Sequence, residues 1–359
     1  MEKIKKVSIP DNSRIIVISD IHGDIDLLKK LVKKVDYHQG DYLVINGDMC
    51  EKGANSKEVV RYMMDLSLNH PNIYVTEGNC DALIEELLNE NPALLIYLAR
   101  QKYSLLNEWL EELDFVLTEV TTVQEIKQLL MKHFTKEINW LMNLPTAIET
   151  EQYIFVHAGL EDIENWQETD RDIALSTPSF FEKNHQANKY VVVGHWPVVN
   201  YSTDLPSDNP IIDENKKIIA IDGGNMVKPT GQLNALIIKD DTFSYTYVDS
   251  FPTRTVLQDF QADTSWAGSI NYPYYFIQPL TKNDYFTQCK QLETDRVLFV
   301  KNEYIHPLSD DKYQAKTDVS CAQLTVQKGE QVSIVDDSCS GYTLIKKDGK
   351  LGWIAKESI

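Results

Sequence analysis

The sequence predicts an α/β fold that is followed by an all-β region toward the C-terminal end. In the first half, short apolar runs of strand length alternate with amphipathic segments of helical periodicity, which is the pattern of an α/β protein. Strand-like runs return after Pro145, with shorter helical segments between them. Beyond about residue 255 the helical periodicity fades, and alternating strands are broken by Gly and Asp turns, as in an all-β fold.

The first strand is predicted at RIIVISD (14–20), a nearly continuous apolar run typical of a strand buried on both faces. A helix follows at DIDLLKKLVKKV (24–35), where the acidic start and the basic end suit the helix dipole. The next strand, helix and strand are predicted at DYLVINGD (41–48), SKEVVRYMMDLSL (56–68) and NIYVTEGN (72–79). This βαβαβ order places polar residues at the carboxyl ends of parallel strands.

The segment from Asp81 to Leu144 is helical in pattern and acidic, without a clear strand. We interpret it as an all-helical insertion or lid. Later strands are predicted at YIFVHAGL, YVVVGHW, KIIAIDGG, LNALIIKD and TFSYTYV (153–160, 190–196, 217–224, 233–240 and 242–248).

The C-terminal segment 324–359 alternates in hydrophobicity and contains a hairpin signal at Lys347-Asp348-Gly349. Over about the last 45 residues it resembles a Src-homology-3-like small barrel of the bacterial type. The stretch VLFVKNEYI (297–305) is similar to LGWIAKESI (351–359), which hints at a second related barrel. We therefore expect a first domain over 1–255 with its insertion at 81–144. A β-rich connector or second barrel over 256–310 and a Src-homology-3-like barrel over 311–359 would follow it.

The composition is acidic, with 54 Asp and Glu against 35 Lys and Arg and a formal net charge of -19. Such a surface repels phosphate backbones and anionic lipid, so we expect neither a nucleic-acid nor a membrane partner. No apolar run reaches the ~18 residues of a membrane span, and the N-terminal residues lack the apolar core of a signal peptide. The chain has 5 cysteines, an odd number, and no close CxxC pair. They predict free thiols and a cytoplasmic protein.

Metal-competent side chains follow the strong strands of the first domain. A buried carboxylate at such a position is costly unless a positive group lies beside it. For one residue alone, a turn or a helix cap is the ordinary explanation. Six such residues at successive strand ends instead indicate a metal site; they are Asp20, His22, Asp48, Asn79, His157 and His195.

The ordered motifs DxHG, GDxxE(K/R)G, GN, HAG and GH resemble those of the calcineurin-like metallophosphoesterases. The resemblance covers about residues 14–250 and is strongest to the phosphoprotein phosphatases with their bacterial and diadenosine-tetraphosphatase relatives. It implies a two-sheet β-sandwich flanked by helices, with a dinuclear metal centre at the strand ends. Asp20, His22 and Asp48 would hold the first ion and Asp48 would bridge. Asn79, together with the histidines of HAG and GH, would hold the second.

The expected chemistry agrees with this ligand set. Two divalent ions lower the pKa of a shared water, which then attacks phosphorus in line. Mixed His and carboxylate ligands suit Mn²⁺, our first choice, or Fe or Zn²⁺, better than Ca²⁺, which prefers oxygen alone. Lys52 stands where the family usually has Arg, and we assign it to binding the substrate's phosphate together with Asn79. The exchange loses the bidentate fork of Arg.

The GNCD motif (78–81) departs from the family at Cys80. Protein phosphatases usually have His there, paired with an acid at the position of Glu51, to protonate the leaving oxygen. A neutral thiol is a poor donor for that step. Some small phosphodiesterases also carry GNC, but they end in GHxH, whereas His195 is followed by Trp196-Pro197. Arg171 is the only Arg between His157 and His195, and its surroundings do not match the family's phosphate-binding Arg.

The resemblance implies a serine/threonine-protein-phosphatase-like phosphoric ester hydrolase, with Asp48, Glu51 and Cys80 as catalytic residues. A nucleotide polyphosphate hydrolase or a phosphodiesterase of the same fold is the alternative within the enzymes. A weakly active scaffold that binds a protein or peptide through the C-terminal barrel is the alternative outside them. For Cys50 and Cys80, two small buried thiols are favoured over a redox pair.

Overall fold

The computed structural model describes residues 1, 3–309 and 312–359, and these divide into two structural units. The first unit comprises Met1–Pro197, Pro210–Val227 and Leu233–Val248. The second comprises Val198–Asn209, Lys228–Gln232 and Asp249–Ile359. The expected domain boundary between residues 310 and 311 lies outside the described residues, and the three-part division stays a prediction.

The strands of the first unit are short and mostly buried. They are β1 (Ile4–Lys6), β2 (Ile15–Ile18), β3 (Tyr42–Asn46), β4 (Ile73–Thr76), β5 (Ala147–Glu149), β6 (Tyr153–Val156), β7 (Tyr190–Val193), β8 (Ile211–Asp213), β9 (Ile218–Ala220), β10 (Leu233–Lys239) and β11 (Thr242–Val248). Its helices are α1 (Ile25–Lys34), α2 (Ser56–Asn69), α3 (Leu83–Leu88), α4 (Ala93–Arg100), α5 (Leu105–Glu112), α6 (Val123–His133), α7 (Thr135–Met142) and α8 (Arg171–Ser176).

Two sheets form the sandwich of the first unit. One has the strand order β11-β10-β2-β3-β4, and β2, β3 and β4 run parallel. The other has the order β1-β5-β6-β7-β9-β8, and β6, β7 and β9 run parallel. The predicted α/β fold with a two-sheet sandwich is therefore confirmed.

The apolar run of β2 shows how the sandwich is packed. Successive side chains of a strand point to opposite faces. Ile15 and Val17 pack in the core between the two sheets, together with Phe155 of β6. Ile16 and Ile18 pack in the core beneath the helices. The strand is buried on both faces, as predicted from its unbroken apolar sequence.

The segment 81–144 is helical as predicted, and it contains α3 to α7. Helix α6 begins with a capping box, in which the Thr122 hydroxyl and the Glu125 side chain each bind the other residue's backbone N–H. Trp109 of α5 stacks on Phe134 with ring centroids 4.8 Å apart. The sequence patterns do not predict β1, β5 and β8, because three residues are too few to show a period.

The second unit is built from short antiparallel strands. They are β12 (Thr253–Thr255), β13 (Ser269–Ile270), β14 (Phe276–Lys282), β15 (Phe286–Gln291), β16 (Val297–Lys301), β17 (Ile305–Ser309), β18 (Lys312–Ala315), β19 (Val319–Ser320), β20 (Gln331–Asp336), β21 (Tyr342–Lys347) and β22 (Lys350–Ala355). The predicted all-β region is confirmed. The predicted hairpin has its turn at Asp348 and Gly349, which both have positive φ angles (52° and 73°). Lys347 pairs with Lys350 across this turn.

The two similar stretches at 297–305 and 351–359 share a local structure. Strand β16 is followed by a 3-10 turn at Asn302–Tyr304, and β22 is followed by one at Lys356–Ser358. However, β20 pairs with β12, which lies before residue 256. One core cluster also joins Phe286 of β15 to Trp353 of β22. The Src-homology-3-like barrel is therefore not confirmed and stays a prediction.

Within the described part of the chain, no helix combines the length and the apolar character that crossing a membrane requires.

Candidate metal centre

The predicted ligands converge at the carboxyl ends of the parallel strands. His22 Nε2 lies 3.9 Å from Asp20 Oδ1 and 3.8 Å from Asp48 Oδ2. His157 Nε2, after β6, lies 3.3 Å from Asp48 Oδ1. The rings of His157 and His195 are 5.2 Å apart. Residues from five strand ends of both sheets therefore form one cluster.

Asp48 lies at the centre of this cluster. Its two carboxylate oxygens face different histidines, His22 on one side and His157 on the other. Burial would raise its pKa, but His157 and His22 outweigh that effect and hold the pKa well below its usual range. The carboxylate is thus ionised and directed to two neighbouring places, as a bridging ligand must be.

The contacts of the Asn79 amide indicate whether a cation fits at the predicted site of the second ion. The amide atom that faces the cluster lies 2.9 Å from His195 Nδ1, 3.1 Å from His157 Nε2 and 3.2 Å from the Leu175 carbonyl oxygen. Without a cation, an amide nitrogen at this place satisfies the His195 nitrogen and the Leu175 carbonyl oxygen. With a cation, the amide oxygen and the two imidazole nitrogens would converge on it as ligands. The donor set of one carboxylate, one amide and two imidazoles fits a divalent transition metal.

Four of the predicted ligands have a left-handed backbone, which residues with a side chain seldom adopt. Their φ angles are 57° at Asp20, 50° at His22, 51° at Asp48 and 64° at His195. Each costs roughly 1–2 kcal/mol. Such strain persists where surrounding contacts impose it, and it concentrates at functional sites.

Glycines in the motifs permit close approach between the loops. A β-carbon at Gly78 would overlap the backbone nitrogen and the carboxylate of Asp48. One at Gly194 would overlap the side chains of Ser19 and Asp20. The glycines of GN and GH therefore bring the loops that carry Asn79 and the GH histidine against the carboxylates.

Hydrogen bonds to backbone carbonyls orient the histidines. His157 Nδ1 donates to the Asn46 carbonyl at 3.0 Å, and His22 Nδ1 donates to the Cys50 carbonyl at 3.2 Å. The neutral ring then presents Nε2 as a lone pair to the cluster. The ring of His195 contacts the carbonyl of Ser176.

The pKa values of the histidines differ with their surroundings. Burial lowers the pKa of His22. Burial and then His157 lower the pKa of His195 to about 4. Burial acts in the same direction on His157, but Asp48 and then Asp20 raise its pKa to about 10. A cation between His157 and the carboxylates would replace the proton that His157 otherwise holds.

The pKa of Asp20 also indicates that a cation beside it would be stabilising. Its pKa is raised well above the usual range by burial, and then by Asp222 and Asp48. Both its oxygens accept from the His195 backbone N–H at 3.1 Å. Asp222 was not among the predicted site residues. It is 2% exposed and follows β9, so its position after a strand is the signal that could have found it.

Asp81 does not cap the following helix. Its Oδ1 accepts from the backbone N–H groups of Met49 and Cys50 at 3.0 and 3.2 Å, and its Oδ2 accepts from Gly78 N–H at 3.0 Å. Burial, then Asp48, raises its pKa to about 7. Asp81 thus holds the loop after β3 against the loop after β4. Asp81 was not among the predicted site residues.

Glu51 and Lys52 occupy different environments. Glu51 is buried, and it accepts hydrogen bonds from the Tyr97 hydroxyl at 2.5 Å and from the Leu105 backbone N–H at 2.8 Å. Both oxygens therefore bind the helical insertion. Lys52 is exposed at the surface of the same loop. Tyr97 and Leu105 were not predicted, since their contact with Glu51 spans about 50 residues.

Cys80 lies beside the first ion's predicted ligands. A ligand atom of each of His22, Asp48 and Cys80 falls within 4.8 Å of the others, and the same holds for Asp48, His157 and His195. The Cys80 backbone N–H donates to Asp48 Oδ1 at 2.9 Å. Burial and then Asp48 raise the pKa of the Cys80 thiol well above its usual range. The thiol is neutral, as is that of buried Cys50, whose pKa is raised mainly by burial.

Comparison with known proteins places this site in a family. The profile of the family "Calcineurin-like phosphoesterase" matches residues 13–223. Two curated relatives are symmetrical bis(5'-nucleosyl)-tetraphosphatases of Actinobacillus pleuropneumoniae, serotype 5b (strain L20) and serotype 3 (strain JL03). They are 28% and 29% identical over 156 residues, which is 43% of this chain and 47% of theirs. The chain thus spans about half the length of the curated relatives it matches.

Solved structures show similarity at lower identity. A putative diadenosine tetraphosphatase is 19% identical with a TM-score of 0.44, covering 68% of this chain and 99% of its own. A serine/threonine phosphatase from Saccharomyces cerevisiae is 14% identical with a TM-score of 0.47, covering 69% and 84%. The family profile covers more than half of the sequence, residues 13–223 of 359. The chain belongs to the calcineurin-like phosphoesterase family.

Proposed function

We propose that this protein is a dinuclear-metal-dependent phosphoric ester hydrolase of the serine/threonine-protein-phosphatase-like type. The observation that carries the proposal is Asp48, whose two oxygens face separate sets of ligands. Members of the family use a dinuclear divalent centre. Here Asp20, His22 and Asp48 would hold one ion. Asp48, Asn79, His157 and His195 would hold the other, with Mn²⁺ as first choice and Fe or Zn²⁺ as alternatives.

When bound, two divalent ions activate a shared water and neutralise charge on the phosphoryl group. The chain's own residues prepare the place for this chemistry. Asp48 stays ionised between the histidines. Backbone carbonyls orient the rings of His22 and His157, so that Nε2 of each ring faces the place of a cation. The left-handed loops hold the carboxylates close in spite of their repulsion.

The leaving group and the phosphate oxygens meet different residues. The neutral Cys80 thiol is the group beside Asp48 where a proton donor is expected, and it is a weak donor. Lys52 is exposed on the adjacent loop, and we assign it and Asn79 to the phosphate oxygens. Glu51 supports this loop through the insertion.

A nucleotide polyphosphate is the second candidate substrate. The named activity of the curated relatives, which match this chain over 156 residues, supports this candidate. A phosphoanhydride also has a good leaving group, which suits a site with a weak proton donor. The acidic charge of -19 argues against a nucleic-acid partner.

Two further proposals concern the rest of the chain. The C-terminal barrel predicted over 311–359 would bind a protein or peptide partner, and a weakly active scaffold would act through that partner. All five cysteines are free thiols, which supports a reducing, cytoplasmic compartment.

The test combines metal analysis with a substrate panel. The protein would be equilibrated with Mn²⁺, and bound metal would be counted per chain. Hydrolysis of an aryl phosphate, a bis(nucleoside) tetraphosphate and a phosphoserine peptide would then be compared. We expect two ions per chain and Mn²⁺-dependent turnover. Asp36→Asn is the matched control, because Asp36 is an exposed Asp, its side chain 86% accessible. A chain that binds no metal and hydrolyses none of these would contradict the proposal and favour the scaffold.

A further inference from the structure

Helix α8 lies against the residues that would hold the second ion. The last carbonyl groups of a helix have no partner within the helix. In α8 these carbonyls lie against residues of the site. The Ala174 carbonyl accepts from Ala158 N–H at 2.8 Å, directly after His157. The Leu175 carbonyl oxygen lies 3.2 Å from the Asn79 amide. The Ser176 carbonyl contacts the ring of His195.

Three successive carbonyls of one helix thus contact Asn79, His195 and the backbone N–H group directly after His157. A small displacement of α8 would move all three contacts together. A ligand set holds its ion only while each donor stays within a few tenths of an ångström of its place. The affinity for the second ion therefore depends on the position of α8.

Arg171, the first residue of α8, is fixed by two carboxylates. Its Nε and Nη2 donate to Glu77 at 2.9 and 2.7 Å. Its Nη1 and Nη2 donate to Glu85 at 2.9 and 2.7 Å. Glu77 lies two residues before Asn79, and Glu85 belongs to α3 of the insertion. Arg171 consequently ties α8 to the loop that carries Asn79.

The geometry of these contacts is specific to arginine. A guanidinium can bind two carboxylates through paired parallel hydrogen bonds, which an ammonium cannot do. Glu77 is 4% exposed, while the side chains of Arg171 and Glu85 are each 28% exposed. Burial would raise the pKa of Glu77, but Arg171 and Thr146 lower it overall. The Arg171 guanidinium is thus bound by protein carboxylates, and we do not assign it to binding a phosphate.

We propose that Arg171, with Glu77 and Glu85, is a positioning clamp that sets the affinity of the second metal ion through α8. This inference rests on the proposed function, since it concerns the ligands assigned there. It assigns Arg171 no contact with the substrate. Its effect is on Asn79 and the two histidines, through the carbonyls of α8.

The clamp is tested with Arg171→Met and Arg171→Lys. Stepwise Mn²⁺ binding is measured by calorimetry, and the magnetic coupling between two Mn²⁺ ions is measured by electron paramagnetic resonance. We expect the second ion to bind about 10–100-fold more weakly in both variants, with the first ion's affinity unchanged. The coupled signal would be replaced by that of single ions at Mn²⁺ concentrations that saturate the natural protein.

Arg61→Met is the matched control. Arg61 also binds two glutamates, at 2.8 Å from Glu112 and 3.8 Å from Glu137, but it lies among the helices α2, α5 and α7. If Arg171 has a purely structural role, Arg171→Met and Arg61→Met should both lower the melting temperature of the metal-free protein. The two stepwise Mn²⁺ affinities should then be the same in both variants. If Arg171 is the clamp, only the Arg171 variants should weaken the binding of the second Mn²⁺ ion relative to the first.

Glu85→Gln keeps the inference testable if the Arg171 variants do not fold, because it removes one half-exposed carboxylate. It should weaken the second ion in the same direction. Unchanged second-ion affinity in Glu85→Gln and in every Arg171 variant that folds would overturn the clamp and leave the proposed function intact. A natural protein that binds fewer than two ions would overturn both.

Discussion

The carbonyl oxygen of Asn46 accepts a hydrogen bond of 3.0 Å from His157 Nδ1. The side chain of the same residue donates to the carbonyls of Val156 and Val192 at 2.9 and 3.1 Å. Asn46 ends β3 in one sheet, and its three partners follow or lie in β6 and β7 of the other. One wholly buried residue therefore joins the two sheets beside the metal cluster and fixes a ligand's tautomer.

We expect Asn46→Ala to destabilise the first unit and to weaken metal binding. The substitution leaves the carbonyls of Val156 and Val192 without their donor, at about 1–3 kcal/mol for each buried group left unpaired. Denaturant unfolding and a Mn²⁺ titration measure the two effects. Thr76→Val is the control, since it removes only the hydroxyl that donates to Asn46 Oδ1 at 3.2 Å. Equal losses in the two variants would show that Asn46 does not join the sheets.

Asp48→Asn should abolish hydrolysis and lower the metal content more than any other single ligand change. Asp48 faces both ligand sets, whereas Asp20 faces only His22 among the histidine ligand atoms. Asp20→Asn is therefore the comparison. Bound metal per chain and turnover of an aryl phosphate decide the outcome. Two bound ions and near-normal turnover in Asp48→Asn would refute the site assignment.

The rate of the natural protein should depend steeply on the leaving group. The neutral Cys80 thiol donates a proton poorly, so aryl phosphates and phosphoanhydrides should react much faster than alkyl esters. A series of esters with leaving groups of graded pKa, measured at saturating Mn²⁺, tests this. A flat dependence would mean that another group already supplies the proton.

Cys80→His should accelerate alkyl esters selectively, by up to about 10²-fold, if Glu51 can orient the new imidazole. In the structure, Tyr97 and Leu105 already donate to the two oxygens of Glu51. We therefore expect the full gain only when Tyr97→Phe is added, which frees one oxygen. Tyr97→Phe alone is the control. Acceleration of aryl and alkyl esters alike would argue against proton donation as the cause.

Stability of the second unit should depend on pH through Asp208. Lys346 Nζ lies 3.0 Å from Asp208 Oδ2, and both side chains are fully buried. Burial raises the pKa of Asp208 to about 6 in spite of Lys346. The folded state thus binds a proton that the unfolded state has released between about pH 4 and 6. This group's contribution to the free energy of unfolding is present below that window and falls as the pH rises through it.

Denaturant unfolding at about pH 4.5 and about pH 7 should show this slope in the natural protein and not in Asp208→Asn. At neutral pH, Asp208→Asn should also cost about 3–5 kcal/mol, because it removes the carboxylate that neutralises the buried Lys346 ammonium and leaves it with neutral acceptors such as the Gln232 side chain. The double variant Asp208→Leu with Lys346→Met should be less destabilised than the single variant. Additive losses in the double variant would contradict a coupled pair.

A chain that ends at Ser309 should lose the core of the second unit. Phe286 and Leu298 pack in one cluster with Leu344 and Trp353, so deleting the last strands exposes them to water. Solubility and binding of a hydrophobic dye measure this. Full-length Trp353→Ala is the control, since it removes the largest contact and keeps the strands. A soluble, cooperatively folded truncation would instead support the predicted separate barrel over 311–359.

Much of the site followed from local sequence, because its residues stand directly after buried apolar runs. Parallel strands bring their carboxyl ends to one edge, so His22 and Asp48 could be placed together before their distance was known. The partners that support them could not. An Asp directly before a helix is ordinarily its cap, but the carboxylate of Asp81 instead binds three N–H groups of two strand-end loops.

The sequence by itself determined the α/β class, the order of the longer strands and helices along the chain and the identity of the metal-competent residues, since periodicity and residue type are properties of short segments. The tertiary structure alone decided which distant groups each side chain meets. Arg171 binds Glu77 and Glu85 across 94 and 86 residues, and β12 pairs with β20. Such contacts depend on how whole elements pack in space, and a short stretch of sequence carries no periodic signal for a partner that far along the chain.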